Sequence, residues 1–404
     1  MIRRDGYLSK IQNFIDVPEI LKIIVGIRRC GKSVMLELIQ EELLHRGVKK
    51  ENFIALNFEK MSLAALKDPL ALDAYIKQQL KKIRGRAYIF LDEIQEVGQW
   101  ETWVNSLRVE ADADIYLTGS NAKLLAGEYA TAIGGRYVSL QMLPFSFREY
   151  LACMREKTPE ITAHDAFANY IEVGGMPFVA ALNLSEADAA TYLRDIFSSI
   201  VIEDVVKRHN IRDVDLLERI IAYVFANIGQ PFSANSIANF FLHEKRKVAP
   251  ETVLNYLKAC REAYLIYKIE RLDVPSKRLL QVDEKYFIAD HGLREAIFGG
   301  NERDIERVLE NIVCMELINR GYEPKIGRIQ DKEVDFVCDR GDKRIYVQVS
   351  YLLASQKTIE REFGIFAEIR DNFPKYVVSL DEIDRSRDGV IHQNISDFLL
   401  SDDF

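Results

Sequence analysis

Between residues 22 and 150 the chain alternates short apolar blocks with polar stretches. Five blocks, "KIIVG", "NFIALNF", "AYIFLDE", "DIYLTGS" and "RYVSLQM", have the length of buried strands, and segments of helical period separate the earlier ones. Strands divided by helices need crossover connections, so the pattern predicts a mainly parallel sheet covered on both faces. Residues 151–212 carry mostly helical periodicity with a break at "VGGMP". Three helices are predicted after that. The first runs from 214 to Gly229, the second is capped by Ser233, and the third, "PETVLNYLKACREAYLI", is opened by Pro250. On the third, Val253, Leu257, Cys260 and Tyr264 share one face, opposite Thr252, Asn255, Lys258 and Glu262. A ribbon comes next, with "DVPSKR" as its turn. From residue 296 onward the order reads helix, three strands, helix, strand.

These patterns predict an α/β chain of four parts: 1–150, a sheet domain; 151–212, a helical connector; 213–295, three helices and a ribbon; and 296–404, a small α/β domain. A length of 404 residues with 48% apolar and 29% charged positions suits several cores of an ordinary globular protein. The net charge of -8 excludes coating of nucleic acid by bulk charge and leaves room only for a local basic patch. Five scattered cysteines, none in a CxxC pair, predict reduced thiols in a cytoplasm and no zinc site. No apolar h-region succeeds "MIRRDGYLSK", and "LLERIIAYVFANI" is too short to span a bilayer, so neither secretion nor a membrane partner is expected.

Chemistry enters at "VGIRRCGKSVMLEL". Gly26, Gly31, Lys32 and Ser33 match G-x-x-x-x-G-K-S between a strand and a helix that is predicted over 32–45 and stopped by Gly47. Glycines let the backbone approach phosphate oxygens at a helix N-terminus that already favours anions. The stretch Gly26, Arg28, Arg29, Cys30, Gly31, Lys32, Ser33 and Val34 is the expected ATP cradle. Lys32 faces the β and γ phosphates and Ser33 holds Mg²⁺. "AYIFLDEIQ" then delivers Asp92, for the water shell of Mg²⁺, and Glu93, the expected general base, to a strand end. "YLTGSNAK" places Thr118, Ser120 and Asn121 at the same edge, either as γ-phosphate sensors or as a plain turn. Arg28, Arg29 and Arg136 are cations available to phosphates or to a neighbouring subunit.

The motifs "GIRRCGKS", "FLDEIQ", "LTGSNAKLL", "GGRYVSLQMLPFSFREYL" and "VGGMP" resemble the prokaryotic AAA-type P-loop ATPases that carry a C-terminal domain of unknown function, AAA_14 with DUF4143. The resemblance implies ATP hydrolysis to ADP and phosphate with Mg²⁺, and a C-terminal restriction-endonuclease-like fold. A nuclease site of that fold takes a helix carboxylate, a strand Asp, and an acid and a Lys two residues apart on the next strand. This chain offers Glu310 in "VLENIVCMEL", Asp335 in "EVDFV", and Gln348 and Ser350 in "YVQVS". Gln348 is a neutral ligand and Ser350 brings no positive charge, so a degenerate site that binds rather than cuts is expected.

The three helices and ribbon resemble a winged helix, with Lys258, Lys277 and Arg278 as candidate DNA contacts. The leading expectation is a Mg²⁺-dependent ATPase coupled to a partner, DNA or protein, in an assembly of unstated order. The alternatives are an ATP-regulated metal-dependent DNA nuclease and a nucleotide-gated protein-interaction switch.

Overall fold

The structure, a computed structural model, describes residues 2–122, 134–299 and 304–402, apart from the side chains of 281–283. It divides into two compact units, Met1–Met142 with Glu262–Tyr264, and Leu143–Arg261 with Leu265–Phe404. Among the described residues no helix is long and apolar enough to cross a membrane.

In the first unit β1 (Leu21–Gly26), β2 (Phe53–Asn57), β3 (Ala87–Asp92), β4 (Ala113–Gly119) and β5 (Tyr137–Met142) form one parallel sheet in the order β2-β3-β4-β1-β5. Every residue of β1, β3 and β4 is buried, as interior strands of a parallel sheet require. Among the described residues the unit also holds helices α1 (Asp5–Ile11), α2 (Lys32–His45), α3 (Pro69–Leu80) and α4 (Trp100–Glu110). Crossovers through α2, α3 and α4 bring the loops after β1, β3 and β4 to one sheet edge.

The opposite edge is tied by charge. Lys22 and Asp114, both fully buried, form an ion pair, and Lys22 Nζ also donates to the Val17 carbonyl at 2.6 Å. Asp114 Oδ2 accepts from the Asp16 N–H at 2.8 Å and from the Tyr116 hydroxyl at 2.6 Å. The segment before β1 is thereby fastened to β4.

The second unit holds a seven-stranded mixed sheet in the order β12-β11-β10-β9-β8-β6-β7. Its strands are β6 (Ile266–Asp273), β7 (Arg278–Ile288), β8 (Glu323–Ile329), β9 (Lys332–Arg340), β10 (Lys343–Val349), β11 (Lys375–Ser379) and β12 (Ile391–Asn394). The three helices expected before the ribbon are present as Val214–Ala226, Ala234–His243 and Pro250–Glu262, with Ser233 capping the second. The ribbon also joins the strands that follow it. Arg271, Leu272 and Asp273 of β6 pair in parallel with Ile326, Gly327 and Arg328 of β8, so ribbon and C-terminal strands share one sheet across residue 295. An open ribbon edge is a row of unpaired N–H and C=O groups, and β8 satisfies it. Across the seam Arg271 meets Glu333 at 2.6 Å.

The break at "VGGMP" is a clasp. Gly174 ends the helix Ala163–Val173, and Pro177 opens the helix Pro177–Leu182. A Cβ on Gly174, where φ is +75°, would stand 2.3 Å from Asp290 Oδ1 and 2.7 Å from the Gly292 backbone. The Gly175 N–H donates to Asp290 Oδ2 at 2.7 Å. His291 is bonded through Nε2 to the Tyr170 carbonyl at 2.6 Å, and burial lowers its pKa to about 4, so the ring is neutral.

Candidate nucleotide site and a second carboxylate cluster

The loop from Gly26 to Gly31 leaves β1 at the sheet edge where β3 and β4 also end. Gly26 has φ +153° and lies so close to β5 that a Cβ would be 2.2 Å from the Met142 carbonyl oxygen. Arg29 (φ +68°) and Gly31 (φ +102°) take left-handed conformations that curl the loop onto the N-terminus of α2. The N–H groups of that first turn have no intrahelical acceptor, which is the physical basis of anion capture. Lys32 is buried and donates to the Gly26 and Ile27 carbonyls at 3.1 Å each. Ser33 and Val34 are exposed on the first turn. Arg28 reaches Glu59 at 3.4 Å and Arg29 is exposed. Cys30 is fully buried, and burial pushes its thiol pKa up against the opposing charges of Lys32 and Arg4.

Asp92 and Glu93 stand at the end of β3, and the structure brings them together with Lys32, whose Nζ is 3.8 Å from Glu93 Oε1. The Asp92 carboxylate accepts from the Thr118 hydroxyl and, through Oδ2, from the Asn57 amide at 2.7 Å. The Thr118 hydroxyl in turn accepts the Glu93 N–H at 2.9 Å. Thr118, fully buried, thus links the two acids. Glu93 has φ +56°, a conformation rare for a residue with a Cβ, and its carboxylate receives Gln95 Nε2 and, at 3.4 Å, Ser120 Oγ. Strain of this kind persists where surroundings over-determine it, typically at functional sites. Asn121 is buried beside these groups in the chain, and Lys123 of "LTGSNAK" lies outside the described residues.

Arg136 is not brought to this site. Its carbonyl accepts from the Leu21 N–H at 3.0 Å, at the start of β1. A β1 length of ~17 Å separates it from the phosphate loop.

In the second unit a cavity is lined by Glu306, Glu310, Glu333, Asp335, Gln348 and Glu362, among others. Glu310 comes from the helix Ile305–Asn319 and Glu362 from the helix Gln356–Gly364. Asp335 Oδ2 accepts the Val349 N–H at 2.8 Å, and Gln348 Oε1 accepts the Asp335 N–H at 3.2 Å. Ser350 is buried and is not among the cavity's lining residues. Sequence reasoning missed the cation of this cluster. Lys285 of β7, also buried, meets Glu333 at 2.7 Å and Glu310 at 3.6 Å. Burial would lower the Lys285 pKa, but Glu310, Asp335 and Glu333 raise it on balance. Burial raises the pKa of both Glu310 and Asp335, with Lys285 opposing. The one visible signal was a lysine inside the apolar run "EKYFIAD".

Lys258, Lys277 and Arg278 are exposed, the last two at the ribbon turn. In the basic turn "HEKRK", by contrast, Arg246 is held by Asp213 at 2.8 Å and also by Asp215.

Comparison with known proteins gives two family matches. An AAA domain, AAA_14, matches residues 19–151, and a domain of unknown function, DUF8612, matches residues 164–304. The second corrects the expected DUF4143. The family-like motifs lie mostly before residue 152 and so identify the ATPase domain rather than the C-terminal domains. An uncharacterized protein of Haemophilus influenzae is 34% identical over 401 residues, covering 99% of each chain. One of Methanocaldococcus jannaschii is 30% identical over 368 residues, covering 87% of this chain and 78% of that one. Among solved structures, Aeropyrum pernix Orc1 in complex with DNA gives 12% identity and a TM-score of 0.32, with 74% of this chain and 92% of that one covered. AMPPCP-bound DnaA from Aquifex aeolicus gives 13% and 0.34, with 65% and 90% covered. The chain belongs to the same family as the Haemophilus and Methanocaldococcus proteins, and its residues 19–151 are an AAA-type P-loop ATPase domain.

Proposed function

We propose that the protein is a Mg²⁺-dependent ATPase whose nucleotide cycle controls the binding of a partner by the regions 213–295 and 296–404. The observation that carries this reading is the meeting of Lys32 with Glu93, and of Thr118 with both acids, at the carboxyl edge of a parallel sheet. Lys32 neutralises phosphate oxygens, and Glu93 orients and deprotonates the attacking water. Ser33 and Asp92 are the residues that would hold Mg²⁺. They fit it, because the ion prefers hard oxygen donors, takes one or two protein ligands and keeps its waters and substrate phosphates. Its chemistry there is neutralisation of charge on the transferring phosphoryl group. Steady-state ATP turnover with and without DNA, RNA and lysate fractions tests the coupling: strong stimulation by one class identifies the partner. In this reading Lys258, Lys277 and Arg278 supply any nucleic-acid contact, and their charge reversal then lowers the salt dependence of binding.

The second reading, an ATP-regulated DNA nuclease, gains from Lys285, which places a buried cation among Glu310, Asp335 and Glu333. Against it, among the described residues no three His, Cys, Asp or Glu side chains are grouped to hold a metal ion, and Gln348 is neutral. Mn²⁺-dependent cutting that is lost in Asp335→Ala and kept in Glu93→Gln would establish it. The third reading, a protein-interaction switch, gains if no nucleic-acid affinity is measurable at low salt.

A further inference from the structure

We infer that Arg4, which lies outside both family matches, is a positioning residue of the nucleotide site, an inference that rests on reading residues 26–33 as the phosphate cradle. Arg4 Nη1 donates to the Cys30 carbonyl at 3.0 Å, and its guanidinium lies 4.4 Å from the centre of the Tyr7 ring. The side chain is 2% exposed, and an arginine stays charged at such a depth at a cost that its contacts must offset.

The contact falls on the Cys30–Gly31 peptide of the cradle. The Cys30–Gly31 peptide is planar and trans, so the Gly31 N–H points opposite to the Cys30 carbonyl. Gly31 lacks a Cβ and has φ +102°, so rotation of this peptide unit meets little steric resistance from its own residue. A bond from Arg4 to the carbonyl stops that rotation. It keeps the Gly31 N–H turned away from Arg4, with the acceptor-less N–H groups of the first turn of α2. The same guanidinium leaves a fixed positive charge behind the loop, on the side away from the bound phosphates, where it still favours anion capture. Arg4 precedes α1 directly, and Tyr7, Leu8 and Ile11 bury that helix in the core. Lys32 and Ser33 act on phosphates directly. Arg4 acts on the backbone that does so.

The test is titration of fluorescent ADP and ATP analogues into the full chain and its variants, with melting followed in parallel. A lost hydrogen bond from a charged donor predicts that Arg4→Met weakens ADP affinity about tenfold or more. Arg4→Lys recovers part of the loss, added methylguanidine restores binding to Arg4→Ala, and KM for ATP rises with kcat within a few-fold of wild type. Ile11→Ala loosens α1 without touching the carbonyl contact and should leave ADP affinity near wild type. Wild-type ADP affinity in Arg4→Met overturns the proposal. A loss in Ile11→Ala equal to that in Arg4→Met also overturns it, because packing of α1 would then be the cause. Lys32→Ala separates the two levels. If it binds nucleotide as wild type does, the cradle reading itself fails; if it does not bind while Arg4→Met does, only the role of Arg4 fails.

Discussion

Asp290→Asn should remove a pH dependence that the clasp builds into the second unit. Asp290 is 3% exposed; Oδ2 takes the Gly175 N–H, and Oδ1 has no partner in hydrogen-bond geometry. Burial raises the carboxyl from 3.8 to about 7, with the backbone amides of Gly175, Gly292 and Leu293 offsetting part of the shift. The folded form therefore holds a proton that the unfolded chain has released over the window from about 4 to about 7. Stability from this group is complete below about 4 and is lost as pH rises through about 7. The difference, 7 − 3.8, is about 3 units, or roughly 4 kcal/mol at 1.36 kcal/mol per unit. Urea denaturation of wild type and Asp290→Asn at several pH values between 4 and 8, followed by far-UV circular dichroism, measures it. Trp100 and Trp103 both lie in the first unit and do not report on this clasp. The wild-type advantage over Asp290→Asn should fall by about 1.4 kcal/mol per pH unit across the window and flatten on either side. The other buried acids cancel in the difference. A difference that does not vary with pH would refute the buried, protonated Asp290.

Three other substitutions probe the first unit. Gly26→Ala places a methyl 2.2 Å from the Met142 carbonyl oxygen and should weaken ADP binding at least about tenfold, since local strain of roughly 1–3 kcal/mol falls on the cradle; isothermal titration checks it. Asp114→Ala strands the buried Lys22 and should cost about 3–5 kcal/mol by urea denaturation followed through Trp100 and Trp103 fluorescence. Thr118→Val keeps the shape but leaves the Glu93 N–H without an acceptor; expect about 1–3 kcal/mol lost in stability and a fall in kcat larger than any rise in KM.

What was readable in the sequence was local. Strands β1, β3 and β4 announced themselves because a strand buried on both faces must be apolar throughout, and the phosphate loop because its glycines, Lys32 and Ser33 are contiguous. Asp92 and Glu93 were readable for the same reason, as the polar end of an apolar run. Groups that meet only through long-range pairing were not readable. The "VGGMP" break was visible, but its partner Asp290 lies more than a hundred residues away. Lys285 joins Glu310 and Glu333 because β6 hydrogen-bonds β8, an edge pairing that no periodicity encodes. Arg136, read as a cation for phosphates or a neighbouring subunit, precedes a parallel strand and so lies at the sheet edge away from the loop after β1. The contacts of Thr118 with Asp92 and with the Glu93 N–H were not readable, because a hydroxyl at a strand end reads alike whether it meets phosphate or carboxylate.

The central claim, that residues 26–33 with Asp92 and Glu93 bind and hydrolyse ATP, is tested most directly by measuring ATP binding and single-turnover hydrolysis in wild type, Lys32→Ala and Glu93→Gln with Mg²⁺ present. The geometry predicts hydrolysis by wild type, retained binding with hydrolysis slowed about 10²-fold or more in Glu93→Gln, and lost binding in Lys32→Ala. Glu93→Gln turning over ATP at the wild-type rate, or wild type binding no nucleotide, would contradict it.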